Sequence, residues 1–251
     1  MTRSVLIDFL PESARQYRDG YAIVAIDVIR ATTTAATAVS LGRRCYPVPS
    51  IEAALPQAAR LHEPLLCGEL GGNMPFGFDI TNSPVEVAHR ADHWRPMILL
   101  SSSGTQLIHN AQGAEAVYIA CLRNVSATVR YLAGRHQRIA LIGAGTRGDF
   151  REEDQYCCAK IAEGLVAAGH EPEGLQTTDV IERWRGKPID AWLESKSVDY
   201  LRRSNQLRDL EFVLAHQDDL ASAFAVRHDE VVALPVNREY AVPPGAARVN
   251  E

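Results

Sequence analysis

Short apolar runs recur through the first two thirds of the chain, at 21–26, 44–48, 65–67, 96–100, 116–120 and 138–142. Most lack a polar residue at every second position, which is the pattern of strands covered on both faces. Several are followed by Gly, Ser or Thr and then by a stretch of helical composition. Strand, small-residue turn and helix in repeated succession predict an α/β fold with a mixed, partly parallel sheet and flanking helices.

Two segments follow one plan. In the first, Ile23-Val24-Ala25-Ile26-Asp27 leads through threonines 32–34 into an Ala-rich helix, Gly42 and a strand ending near Val48. In the second, Ile98-Leu99-Leu100-Ser101 leads through residues 102–105 into a helix, Gly113 and a strand ending near Ala120. A third strand end, at 139–142, opens onto Gly143-Ala144-Gly145-Thr146. Either the chain holds two duplicated βα halves around one cleft, or these are ordinary βα units that look alike. From 178 to 225 the chain is rich in charge and helix formers, and one strand candidate follows at 230–235. No low-complexity linker interrupts the chain, so 1–240 read as one α/β domain and 241–251, after Pro243 begins a Pro-Pro-Gly step, as an irregular tail.

Composition acts mainly by exclusion. A formal net charge of −5 gives no electrostatic reason to expect nucleic acid or a membrane surface as partner. No apolar run approaches the ~20 residues of a membrane span. The five cysteines are odd in number, scattered and without metal-site spacing, so they read as reduced thiols in the core. Met1 to Asp8 run straight into a strand-like segment with no secretory signal, and a cytoplasmic location is expected.

In open α/β sheets ligands bind beyond the carboxyl ends of the strands. Three such ends here carry small or hydroxyl residues before a helix, at 32–34, 101–105 and 143–146. A helix start offers free N–H groups and the positive end of the dipole, so a phosphate suits all three. One threonine at a helix start is ordinarily only a cap; three converging starts make a stronger case. Thr32, Thr33, Ser102, Ser103, Gly104, Thr105, Gly145, Thr146 and Arg147 are therefore the candidate substrate contacts.

The first cluster, Asp27-Val28-Ile29-Arg30, adds chemistry. An acid directly after a buried strand is costly unless it works, either as a metal ligand or as a nucleophile toward phosphorus. Arg30 can pair with phosphate or with a substrate acid. The plainer alternative is a structural Asp27–Arg30 ion pair. A second cluster, Cys67-Gly68-Glu69-Leu70-Gly71-Gly72, places Glu69 as a hard-metal candidate, while Asp79, Asn82 and Ser83 nearby read as turn residues. In the third, Glu153 and Asp154 sit near a helix start, and adjacent helical residues cannot both face one ligand. The candidate metal ligands are thus Asp27, Glu69 and Asp154. His89 and His93 have i, i+4 spacing, but with Trp94-Arg95-Pro96 beside them they read as a loop rather than a metal pair, and no P-loop or nucleophile elbow is present.

With these motifs in order and at compatible spacing from about Ile23 to Ala168, the chain resembles the 2-phosphosulfolactate phosphatase family. The resemblance rests on residues 27–34, 68–72, 78–84, 102–105 and 143–148, then Glu153-Asp154 and Cys157. It implies a fold particular to that family, Mg²⁺ dependence, and hydrolysis of 2-phosphosulfolactate to 3-sulfolactate and phosphate, a step of coenzyme M synthesis. The C-terminal third matches more loosely, through Ser195-Lys196-Ser197 and residues 207–212, and Val198-Asp199 stand where a glycine is expected. A same-fold phosphatase for another small phosphorylated acid is the nearest alternative. A non-catalytic phosphate-ester binder is a different class, disfavoured because three acids would repel phosphate unless a cation lay between. A dinucleotide oxidoreductase would need a Gly-rich turn where Asp27–Arg30 stand. The implied partner is a small-molecule phosphate ester, and a homo-oligomer is compatible with this reading.

Overall fold

The computed structural model describes residues 2–146 and 148–236; Arg147 and the expected tail at 241–251 lie outside them. Among the described residues the strands are β1 (Ser4–Phe9), β2 (Ala22–Ile26), β3 (Cys45–Val48), β4 (Leu65–Gly68), β5 (Met97–Leu100), β6 (Ala116–Ala120), β7 (Arg138–Gly143), β8 (Glu171–Pro172), β9 (Ser222–Arg227) and β10 (Glu230–Pro235). The α-helices are α1 (Ala31–Ser40), α2 (Ile51–Ala58), α3 (Pro84–His89), α4 (Gly104–Asn110), α5 (Val125–Leu132), α6 (Glu152–Ala167), α7 (Leu175–Trp184), α8 (Lys196–Arg203) and α9 (Leu207–Ala215).

The uninterrupted apolar runs are apolar because both faces of the sheet are covered. In β2, Ala22, Val24 and Ile26 join one core, with residues of α5 to α9, while Ile23 and Ala25 join the other, with residues of α1, α3 and α4. All five are fully buried. A third, smaller cluster joins Ala54 of α2 to Ile98 and Leu100 of β5. No helix among the described residues is long and apolar enough to cross a membrane. All five cysteines are buried and unpaired, and Cys157 is pushed well up, by burial first and then by neighbouring thiols.

The strands form one mixed sheet in the order β4-β5-β3-β10-β9-β6-β2-β7-β1-β8. Parallel trios β4-β5-β3 and β6-β2-β7 flank the antiparallel β9–β10 hairpin. This order has a twofold pattern. The run β2-α1-β3-α2-β4 and the run β5-α4-β6-α5-β7 occupy matching places about the hairpin, and each sends its first strand into the other's trio. The hydrogen bonds after the first strands match as well. Thr32 Oγ1 donates to Asp27 O and accepts from Asp27 N–H; Thr105 Oγ1 does the same with Ser101.

The sequence reading differs from the structure at β9. Residues 222–225 were assigned to the helix-rich stretch, yet Ser222–Arg227 pairs antiparallel with β10 along its length and with β6. Its apolar pattern is too short to separate strand from helix, and the long-range pairing decides. The strand expected at 230–235 is β10.

Candidate active site

Four strand ends meet at a cleft of ≈ 780 Å³, a size suited to a small-molecule ligand. Asp27 follows β2 and Ser101–Ser103 follow β5; Glu69 follows β4 and Ala144–Thr146 follow β7. The ends are those that the twofold pattern pairs. Asp27, Ser103 and Thr146 share this one cleft, and Ser103 Oγ lies 3.5 Å from Thr146 Oγ1.

Asp27 is 6% exposed and its carboxyl is pushed up to about 7. Burial is the main cause, the negative fields of Glu69 and Glu153 add to it, and the Ala31 N–H at the start of α1 works against it. Asp154, in the first turn of α6, is also buried and also raised, by burial first and then by Glu153 and Asp27. One of its oxygens accepts from Val28 N–H at 2.8 Å, which ties α6 to the loop that carries Asp27. Of the adjacent acids only Asp154 lines the cleft; Glu153 is buried behind it, and its Oε2 has no hydrogen-bond partner among the described residues.

Arg30 also lines the cleft, but it is not paired with Asp27. Its Nη1 donates to Asp209 Oδ2 at 2.5 Å, and Ser83 Oγ donates to Asp209 Oδ1. The ion pair that the sequence suggested between neighbours is thus replaced by one spanning 179 positions.

Several expected ligand contacts turn inward. Thr32, Thr33, Gly104 and Thr105 are not among the residues lining the cleft. The Thr32 and Thr105 hydroxyls bond the backbone of Asp27 and Ser101, and Thr33 Oγ1 donates to Val28 O at 2.8 Å. Thr146 N–H donates to Asp149 O at 3.0 Å, so that donor is spent on its own loop. The physical reason is common to all of them: a buried turn must satisfy its own polar groups before it can serve a ligand. Ser102, Ser103, Gly145 and Thr146 do line the cleft; Arg147 lies outside the described residues.

Glu69 faces the cleft with both oxygens engaged. Oε1 accepts from Ser102 N–H at 2.6 Å, and Oε2 from Gly72 N–H at 2.7 Å and Ser102 Oγ at 3.0 Å. It fastens the 69–72 loop to the end of β5. Among the described residues no three His, Cys, Asp or Glu side chains form a metal-binding group; the candidate ligands Asp27, Glu69 and Asp154 all line the cleft.

The sequence reading gave no site role to Asn82, read as a turn residue, or to Asp209 and the start of α8, which stood only in the looser C-terminal match. Asn82 lines the cleft, is almost fully buried, and its Oδ1 has no hydrogen-bond partner among the described residues. Its turn-like neighbourhood hid it. Lys196, Tyr200 and Arg203 of α8 line the opposite wall with Arg151. Tyr200 Oη donates to Gly72 O at 2.6 Å and joins that wall to the Glu69 loop. Lys196 Nζ pairs with Asp149 at 2.6 Å.

Comparison with known proteins gives one consistent result. The 2-phosphosulpholactate phosphatase family model matches residues 8–224. A probable 2-phosphosulfolactate phosphatase of Deinococcus radiodurans is 36% identical over 82% of this chain and 86% of that protein. Proteins of the same description from Symbiobacterium thermophilum and Thermus thermophilus are 35% and 32% identical, over 77% and 82% of this chain and 86% and 87% of theirs.

Proposed function

This chain belongs to the 2-phosphosulpholactate phosphatase family, and we propose that it hydrolyses 2-phosphosulfolactate to 3-sulfolactate and phosphate. The observation that carries this reading is a buried acid, Asp27, at the meeting point of two helix starts, sharing its cleft with an arginine that makes its ion pair with Asp209 instead.

The Mg²⁺ that the family resemblance implies fits the donor chemistry. Asp27 and Asp154 are buried carboxylates that share no ion pair among the described residues; burial raises both first, and then the charges of Glu69 and Glu153 raise Asp27 while those of Glu153 and Asp27 raise Asp154. Hard oxygen donors in that state suit a hard divalent cation. Asp27 and Asp154 would hold it; Glu69 serves the loop instead. When bound, the ion supplies positive charge toward the phosphoryl oxygens.

The remaining work falls to the chain's own groups. Phosphoryl transfer needs an in-line oxygen and positive charge around the equatorial oxygens. Arg30 offers its free N–H groups to those oxygens from the β2 side, and Ser102 and Ser103 approach from the β5 side. Asp27 acts on the attack, as the entering carboxylate or by orienting the entering water. Arg151, Lys196 and Arg203 face the part of the substrate that carries its other acid groups.

The pure protein should release phosphate from 2-phosphosulfolactate faster than from phosphate esters lacking a second acid group. Chelation should lower the rate by about 100-fold or more, with recovery on adding Mg²⁺. An unchanged rate after chelation removes the metal from the mechanism, and no release from any ester makes the protein a binder.

A further inference from the structure

We propose that Asp209 is a positioning residue for phosphate binding, acting through Arg30 and stationed on α9 to keep that guanidinium off Asp27. This rests on the reading of Arg30 as a phosphate contact.

Three observations support it. Arg30 and Asp209 are each 3% exposed, so their charges meet in a site screened from water. Both oxygens of Asp209 are committed, one to Arg30 Nη1 at 2.5 Å and the other to the hydroxyl of Ser83. That second bond anchors the carboxylate to the start of α3, since Ser83 Oγ also accepts from Glu86 N–H at 3.2 Å. Finally, among the described residues Arg30 makes no other side-chain hydrogen bond, which leaves Nε and Nη2 for a ligand in the cleft that Arg30 lines.

A buried arginine takes the best carboxylate within reach. Asp27 is three positions away, faces the same cleft, and already feels the Arg30 charge. If the two paired, the site would lose its attacking or water-orienting acid and its phosphate-binding cation together. A carboxylate fixed from outside the βα core removes that option, because it holds the guanidinium at one end and leaves the other end presented. Ser83 and Asp209 lie 126 positions apart, so the device depends on α3 packing against α9. It also gives the C-terminal helices a part in the site besides covering the sheet.

The test compares wild type, Asp209→Asn, Arg30→Gln and the double variant by kcat/KM on 2-phosphosulfolactate and by the calorimetric Kd for inorganic phosphate. Asp209→Asn keeps the shape and removes the charge; it should lower kcat/KM by about 100-fold and weaken phosphate by about 10-fold. Arg30→Gln should cost at least as much, and the double variant should be no worse than Arg30→Gln alone, because a residue acting only through Arg30 has nothing left to position. Losses that multiply in the double variant, or an Asp209→Asn protein within about threefold of wild type, would overturn the proposal. If Arg30→Gln itself binds phosphate and turns over normally, the reading of Arg30 fails first, which is a separate outcome. Should Asp209→Asn not fold, Ser83→Ala takes its place. It should weaken phosphate by about fivefold in wild type and not at all beside Arg30→Gln; an equal effect in both backgrounds also overturns the proposal.

Discussion

Asp27→Asn should abolish turnover while making the protein harder to unfold at neutral pH. Loss of the carboxylate removes either the nucleophile or the group that holds the cation and orients water, so kcat should fall by about 10³–10⁵-fold. Stability should move the other way. Asp27 titrates at about 7 in the folded protein against an ordinary 3.8. Between those values the folded state binds a proton that the unfolded chain has released, so wild-type stability falls as pH climbs from about 4 to about 7. Below that window the penalty is absent, and above it the penalty is complete. The amide of the variant never ionises. In chelator, the two proteins should therefore melt together near pH 4 and separate above pH 7, with the variant ahead by roughly 2–4 kcal/mol. That is about 5–10 °C for a chain of this size. Added Mg²⁺ should raise the melting temperature of the wild type and not of the variant. An active Asp27→Asn enzyme, or one whose melting follows the wild type at every pH, would remove Asp27 from its assigned role. The two roles of Asp27 separate by stereochemistry at phosphorus: two in-line displacements through an aspartyl phosphate retain configuration, whereas one direct attack by water inverts it.

The conflict between activity and stability at Asp27 also explains what was legible in the sequence. An acid directly after a fully apolar strand breaks the local pattern, and such breaks tend to mark functional positions. Strands β2 to β7 showed themselves by runs of buried residues, and β10 by Glu230–Pro235. Strand β9 did not, because six residues of mixed pattern following helices carry no period that a sequence can reveal, and its partners are β10 and β6.

The site was legible in its loops and opaque in its pairings. Asp27, Arg30, Glu69, Ser102, Ser103, Gly145 and Thr146, candidates in loops that follow strand ends, all line one cleft. What each side chain does there depends on partners that sequence distance conceals. Thr32 and Thr105 looked like ligand donors, yet each closes a hydrogen-bonded ring on the strand end before it. Glu69 looked like a metal ligand, yet it meets Ser102, 33 positions on. Asp209 stood only within the looser 207–212 match, which gave its side chain no role, and that role came to notice through its pairing with Arg30.

Gly104→Ala is the variant with the second largest expected effect, and it tests the convergence of the two helix starts directly. A Cβ at Gly104 would fall inside contact distance of Asp27 Oδ2, 2.6 Å from Ala31 Cβ and 3.0 Å from Asp27 Cβ. None of these atoms is the loose end of a flexible side chain. Asp27 is short and buried, and Ala31 belongs to the first turn of α1. The methyl group must therefore push α1 and α4 apart or turn Asp27 out of place. Overpacking of this kind costs about 1–3 kcal/mol, and a shift of about 1 Å in a catalytic group costs on the order of 100-fold in rate. The two effects can be separated. Adding Ala31→Gly relieves the helix contact but leaves the Asp27 contact, so the double variant should regain part of the stability while its kcat stays low. Recovery of both together would mean that helix spacing alone matters at this point. A single Gly104→Ala enzyme within threefold of wild-type kcat would show that the approach of Gly104 does not position Asp27.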